Sequence, residues 1–131
     1  MDVSIFKAYD VRGLYPTQVN QGVAFALGLA LGKHFKKSPL VIARDGRIGS
    51  PELYRSVLNG LRRSGRATGL VEAGLTTTPM FYYLVQKMAA RGGIMITASH
   101  NPGRYNGFKV VGKNAEMISG KKLLRIMNKE L

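Results

Sequence analysis

The sequence predicts an α/β domain, a three-layer αβα arrangement around a mainly parallel (mixed) sheet of about four to five strands. Three observations carry this. Short apolar runs, among them Leu40-Val41-Ile42-Ala43 and Ile94-Met95-Ile96, recur between longer segments whose apolar residues follow helical spacing. The runs are continuous rather than alternating, as in strands buried on both faces. Each ends in a polar turn, which is where open α/β sheets place their ligands.

From the N-terminus, residues 5–9 alternate weakly and predict a short strand, with Asp10-Val11-Arg12-Gly13 as the turn after it. Thr17 is the predicted N-cap of a helix over residues 18–36, whose broad apolar face includes Val19, Val23, Leu27 and Leu31. Gly22, Gly28 and Gly32 each weaken that helix by about 1 kcal/mol relative to alanine, which implies close packing against the sheet. Residues 40–43 form the second strand, ended by Arg44-Asp45-Gly46-Arg47. Ser50 is the predicted N-cap of the second helix, with Pro51 in its first turn and Glu52 near its positive end. Leu53, Tyr54, Val57, Leu58 and Leu61 form its apolar stripe, and Gly65 closes it. Residues 67–73 give a third strand, 80–90 a third helix and 94–98 a fourth strand. A short fifth strand is predicted over 108–111, and a terminal helix from Lys121.

The length of 131 residues predicts one domain, 1–131, burying roughly two-thirds of its unfolded surface. An apolar fraction of 45% argues against disorder. The absence of cysteine excludes disulfides and thiolate metal sites. No basic region followed by an apolar core opens the chain, so no signal peptide is expected. The longest uncharged apolar run, over residues 23–32, is about half the length needed to cross a bilayer. A cytoplasmic protein with no membrane partner is expected. The net charge of +13 is compatible with nucleic acid, a membrane surface, a phosphorylated substrate, or membership of a larger protein with acidic parts. Composition alone does not separate these.

If the strands run parallel, those ending at Tyr9, Ala43, Ala73 and Ala98 share one edge of the sheet. The polar clusters Asp10/Arg12, Arg44/Asp45/Arg47, Thr76 to Thr78 and Ser99/His100/Asn101 then converge. A serine beside arginines, a histidine and a lysine suits phosphate chemistry. A phosphorylated serine carries about −1.5 to −2 charges and three strong acceptor oxygens, which Arg12 is suited to bind bidentately. Lys109 offers a compact positive charge or a proton carrier. His100, adjacent to Ser99, is a poor base for that hydroxyl and a better contact to substrate. Each residue also has an ordinary reading: Ser99 as a turn residue, His100 as a turn cap, and Arg12 and Arg47 as loop ion pairs with Asp10 and Asp45, worth under about 1 kcal/mol if exposed. His34 reads as a surface residue, and Tyr82 and Tyr83 as helix packing. No GxGxxG or GxxxxGK[ST] occurs, so neither dinucleotide nor P-loop binding has support. The seven carboxylates are scattered, which excludes a strong metal site built by this chain alone.

The same residues carry a family likeness. Phe6-Lys7-Ala8-Tyr9-Asp10-Val11-Arg12-Gly13, Ala43-Arg44-Asp45-Gly46-Arg47, Gly74-Leu75-Thr76-Thr77-Thr78-Pro79, Thr97-Ala98-Ser99-His100-Asn101-Pro102 and Tyr105-Asn106-Gly107-Phe108-Lys109 occur in that order. In these the chain resembles the first domain of the α-D-phosphohexomutases, nearest the phosphomannomutase/phosphoglucomutase branch. The resemblance implies that Ser99 is the phosphoserine that donates to a hexose phosphate, giving a bisphosphorylated sugar that returns its other phosphate. It implies Mg2+ on that phosphoserine, Arg12 and Lys109 in support of transfer, and Tyr9, His100 and Asn101 in the active-site loops. Hexose 1,6-bisphosphate is the implied activator, and a phosphosugar the substrate. Domains II to IV of the family have no counterpart here, so the remaining metal ligands and the sugar- and phosphate-selecting loops are expected from missing domains or a partner chain. Low activity of this domain by itself is the expectation, with no sugar preference encoded in it. Glu116 to Gly120 looks like the family's sugar loop but has an extra isoleucine and lies in the wrong domain, so the match is read as chance. A basic first domain that faces an acidic metal loop and an anionic sugar would account for the charge without nucleic acid. The other readings are a basic polyanion- or nucleic-acid-binding module and a non-catalytic mutase homologue.

Overall fold

The computed structural model describes all residues from Met1 to Leu131. A six-stranded mixed sheet lies between two helical layers, in the predicted α/β class. Its elements are β1 (Val11–Leu14), α1 (Gln21–His34), β2 (Leu40–Arg44), α2 (Ser50–Arg63), β3 (Leu70–Leu75), α3 (Thr78–Lys87), β4 (Gly92–Ile96), β5 (Tyr105–Gly112), β6 (Met117–Ile118) and α4 (Gly120–Glu130). The strand order is β1-β5-β4-β2-β3, with β6 paired to β5. β2 is parallel to both β3 and β4, while β5 is antiparallel to β1, β4 and β6. Only β5 runs against the rest, so β1 keeps the direction of β2, β3 and β4.

The first predicted strand is displaced. Residues 3–5 form a 3-10 turn, and the strand is Val11–Leu14, where the residue types predict a turn. Four residues beginning Val-Arg-Gly carry too little periodicity to register as a strand. Pairing with β5 overrides that weak preference. β1 is also staggered: Val11 lies opposite Phe108, which lies opposite Ile96, so β1 begins level with the end of β4. This stagger, rather than a strand ending at Tyr9, brings Asp10 and Arg12 to the edge where β2 and β4 finish.

The helix starts also shift. Asn20, not Thr17, caps α1, its side chain accepting from the Val23 N–H at 3.0 Å. Gly49 at φ 90° precedes α2, and Ser50 sits inside the helix, donating from Oγ to Asp45 Oδ1 at 2.6 Å. The "fifth strand" is longer than expected, eight residues in the middle of the sheet.

α1, α2 and α4 cover one face of the sheet over a core that includes Leu27, Leu31, Leu53, Leu61, Ile94, Ile96 and Phe108. α3 covers part of the other face over Val41, Ala43, Phe81, Val85, Met95 and Val111. The glycines of α1 serve a different contact from the one expected. A Cβ on Gly28 would strike the Val57 carbonyl, and one on Gly60 would strike the Phe25 carbonyl, so the close approach is helix to helix. Gly28→Ala should therefore lower the unfolding free energy by about 1–3 kcal/mol in urea titration, the usual cost of overpacking. Gly22→Ala, which meets only the Asn20 side chain, should leave it equal or higher. Equal effects of the two would contradict this contact.

Candidate active site

β4 delivers the chain into the site. Its ladder to β5 is continued by the Thr97 N–H, which donates to the Gly107 carbonyl at 2.9 Å. The backbone then turns sharply at Ser99. Asn101 N–H donates to the Ala98 carbonyl at 3.1 Å, and Ser99 N–H to Thr97 Oγ1 at 3.0 Å. Ser99 has φ 56°, a left-handed conformation that a residue with a Cβ adopts only when its surroundings enforce it. Its side chain is half-buried, and Oγ makes no hydrogen bond within the chain. His100 beside it is exposed.

On one side stands Arg12. Nε donates to Asp10 Oδ1 at 2.9 Å and Nη1 to Asn101 Oδ1 at 2.7 Å. A guanidinium has five N–H donors, so Arg12 keeps others free for an anion. Asp10 is buried and also pairs with Lys109 Nζ at 3.8 Å. It thereby gathers Arg12 and Lys109, from two strands, around one carboxylate. Burial raises the pKa of Tyr82 on α3, and the Asp10 carboxylate adds to it. A polar cavity of about 330 Å³ opens beside Arg12, lined also by Ser4, Lys7, Gln18, Asn101 and Tyr105.

On the other side stands Arg47. Its guanidinium donates to the carbonyls of Ser99, Asn101, Pro102 and Tyr105 and pairs with Asp45 at 3.4 Å. The ordinary reading of Arg47 as a loop ion pair with Asp45 is thus correct but incomplete.

The structure brings together Ser99, Arg12, Asn101 and, through Asp10, Lys109. It places His100 next in line, exposed. Tyr9 is 64% exposed at the tip of the turn closed by Lys7 N–H and the Asp10 carbonyl, and no side-chain bond ties it to Ser99. Thr76, Thr77 and Thr78 follow β3, on the far side of β2 from β4: Thr76 N–H donates to the Arg44 carbonyl, Thr77 caps α3 by accepting from the Met80 N–H, and Thr78 is the first residue of α3. Sequence reading missed the carbonyl-gathering role of Arg47 and the buried position of Asp10. Neither has a local signature, since the partners of Arg47 lie more than fifty residues away.

A serine held at left-handed φ between two arginines at a sheet edge is a distinctive arrangement, and it can be compared with known proteins. Residues 3–130 match the family model described as phosphoglucomutase/phosphomannomutase, alpha/beta/alpha domain I. The chain belongs to the phosphoglucomutase/phosphomannomutase family. It is 41% identical over 119 residues to a Xanthomonas campestris protein named "Phosphohexose mutases", covering 91% of this chain and 26% of that one. It is 38% identical over 123 residues to a phosphomannomutase of Escherichia coli, covering 94% and 26%. A Burkholderia thailandensis structure of a phosphoglucomutase/phosphomannomutase family protein superposes with a TM-score of 0.81 at 34% identity, over 98% of this chain and 30% of that one. The chain thus spans about a quarter of the length of the two mutases and corresponds to domain I of the family.

Electrostatically, this family domain is lopsided. Around Ser99, the acids Asp2, Asp10, Asp45 and Glu52 offset much of the charge of Lys7, Arg12, Arg44, Arg47, Arg55, Arg104 and Lys109. Toward the opposite ends of the strands, Lys33, Lys36, Arg62, Arg66, Arg91 and Lys113 meet only Glu72, Glu116 and Glu130, with Arg62 paired to Glu72 at 3.0 Å. A groove of about 570 Å³ there is lined by Lys33, Lys36, Arg66 and Glu130. Part of the +13 charge therefore lies away from the Ser99 edge. His34 sits at this far end, and its pKa is lowered below 6.5 by burial first, then by Lys122, Lys129 and Lys36 against the opposing pull of Glu130. The unfolded chain then binds more protons than the folded one between the lowered value and 6.5, so stability rises with pH across that window. Thermal melts should show the midpoint falling on acidification below 6.5, with a smaller fall in His34→Gln. An identical pH dependence in the variant would contradict the assignment.

Proposed function

We propose that this domain carries the phosphoserine of a phosphohexomutase that interconverts hexose 1-phosphate and hexose 6-phosphate through a bisphosphorylated sugar. The observation that carries it is the free Ser99 Oγ, set at φ 56° in a loop whose Asn101 is bonded to Arg12. The names of the mutase relatives support the substrate class, mannose or glucose phosphates.

In the donating half-reaction the bond from Ser99 Oγ to phosphorus breaks as a sugar hydroxyl oxygen bonds to that phosphorus. The hydroxyl proton is lost from the sugar, and Ser99 Oγ gains one. Lys109, steadied by Asp10, is the proton carrier in this reading. Arg12 turns its free donors to the transferring phosphoryl oxygens and stabilises the charge there. His100 and Asn101 line the loop against the sugar phosphate, and Tyr9, at its exposed turn, is left to contact substrate. The second half-reaction reverses these steps with the other phosphate of the turned sugar. Exchange with hexose 1,6-bisphosphate would likewise charge an unphosphorylated Ser99.

Magnesium belongs to the family chemistry as a neutraliser of phosphoryl charge. The residues here do not form such a site. No group of three or more His, Asp or Glu is clustered, and the two carboxylates nearest Ser99 are already paired, Asp10 with Arg12 and Lys109, Asp45 with Arg47. Only a phosphate on Ser99 would be a ligand from this chain.

Incubation with glucose 1,6-bisphosphate should add one phosphoryl group, mapped by peptide mass spectrometry to Ser99 and absent from Ser99→Ala. Label on the alanine variant or at another residue would overturn the reading. Arg12→Ala should slow the labelling by about a hundredfold, the scale of losing a preorganised donor to developing charge. Steady-state assays with mannose 1-phosphate or glucose 1-phosphate should show no robust turnover by this chain alone. Efficient turnover would mean that the site is complete without further domains.

A further inference from the structure

We propose that Arg47 is a positioning residue for phosphoryl transfer: it organises the Ser99 loop from behind and takes no part in binding the phosphate. The inference rests on the reading of Ser99 as the phosphoryl carrier, and it assigns the part of the site that makes that serine competent.

The donor count decides the role. A guanidinium has five N–H groups in a rigid planar fork. In Arg47, Nη2 donates to the carbonyls of Ser99 at 2.6 Å and Asn101, and Nη1 to those of Pro102 at 2.8 Å and Tyr105 at 3.2 Å. Nε faces Asp45 Oδ2 at 3.4 Å. Four donors are therefore hydrogen-bonded within the chain and the fifth is turned to the Asp45 carboxylate, so none is directed at a phosphate. Arg12, with two of its donors engaged, stands in contrast.

Four carbonyl oxygens drawn toward one point repel one another unless a cation lies among them. Without Arg47 the loop would lose its convergence, and the left-handed φ of Ser99 would lose its restraint. The guanidinium is itself held. Asp45 Oδ1 accepts from the Arg47 N–H at 3.1 Å and from Ser50 Oγ at 2.6 Å. Ser50 Oγ in turn accepts from Asn106 Nδ2 at 3.0 Å. Ser50 and Asn106 are both fully buried. The start of β5, the start of α2 and the end of β2 thus fix Arg47, and Arg47 fixes the loop. Lysine cannot replace it, because an ammonium has three donors and no fork to span four carbonyls.

The test has two readouts in Arg47→Ala and Arg47→Lys, with circular dichroism to verify folding. The first is amide hydrogen exchange at Ser99, Asn101 and Tyr105, whose N–H groups are bonded inside the loop. Exchange there should rise by about tenfold or more, while Ile94 and Ile96 in β4 stay protected. The second is the rate of Ser99 phosphorylation by glucose 1,6-bisphosphate. The saturating rate should fall by about a hundredfold, as for a displaced reacting group, with the half-saturating concentration unchanged. Free guanidinium ion should restore part of that rate to the alanine variant. If the alanine variant does not fold, the lysine variant carries both readouts. Unchanged loop exchange, unchanged labelling, or a raised half-saturating concentration at an unchanged maximal rate would each overturn the proposal. A wild-type chain that takes no phosphoryl group would refute the Ser99 reading instead, while loop exchange would still judge the clamp.

Discussion

Strand β5 is the constraint on which the molecule depends. It is the one strand that runs against the others, and it makes three of the five ladders of the sheet. Because it pairs with β1 and β4 on either side, it returns β1 to the common direction and sets the stagger that brings Asp10 and Arg12 level with the end of β4. It begins just past the Ser99 loop and carries Lys109 onto the same face as Arg12. Gly107 makes the pairing possible: a Cβ there would strike the Val11 carbonyl. The sheet and the site are consequences of one reversed strand.

The site combines two uses of arginine. Arg12 is half committed, held by Asp10 and Asn101 with donors to spare, which suits recognition of an anion that comes and goes. Arg47 is fully committed to four backbone carbonyls and the Asp45 carboxylate, which suits permanent shape. Asp10 and Asp45 underlie this division. Each carboxylate orients its arginine, and each is thereby removed from metal binding.

Much of this was legible from residue order. The continuous apolar runs at residues 40–43 and 94–96 identified β2 and β4, and the amphipathic pattern after Ser50 identified α2, because burial on a regular element leaves a periodic trace. The motif around Ser99 drew attention to that serine because a strand that empties into polar residues is unusual locally. β1 was misplaced because four residues are too few for a period to show. Thr17 and Ser50 fit a cap by residue type, yet which residue caps depends on where the helix is packed, and Gly28 of α1 serves contact with α2 rather than with the sheet.

The sequence by itself determined the α/β class and the family, since these rest on local periodicity and on motif order along the chain. Only the tertiary structure decided that β5 is reversed, that Asp10 is a buried hub, and that Arg47 spends both terminal nitrogens on the carbonyls of the Ser99 loop and the start of β5. Those facts depend on groups far apart in the chain meeting at hydrogen-bond distance. No local pattern encodes such a meeting; the packed sheet does.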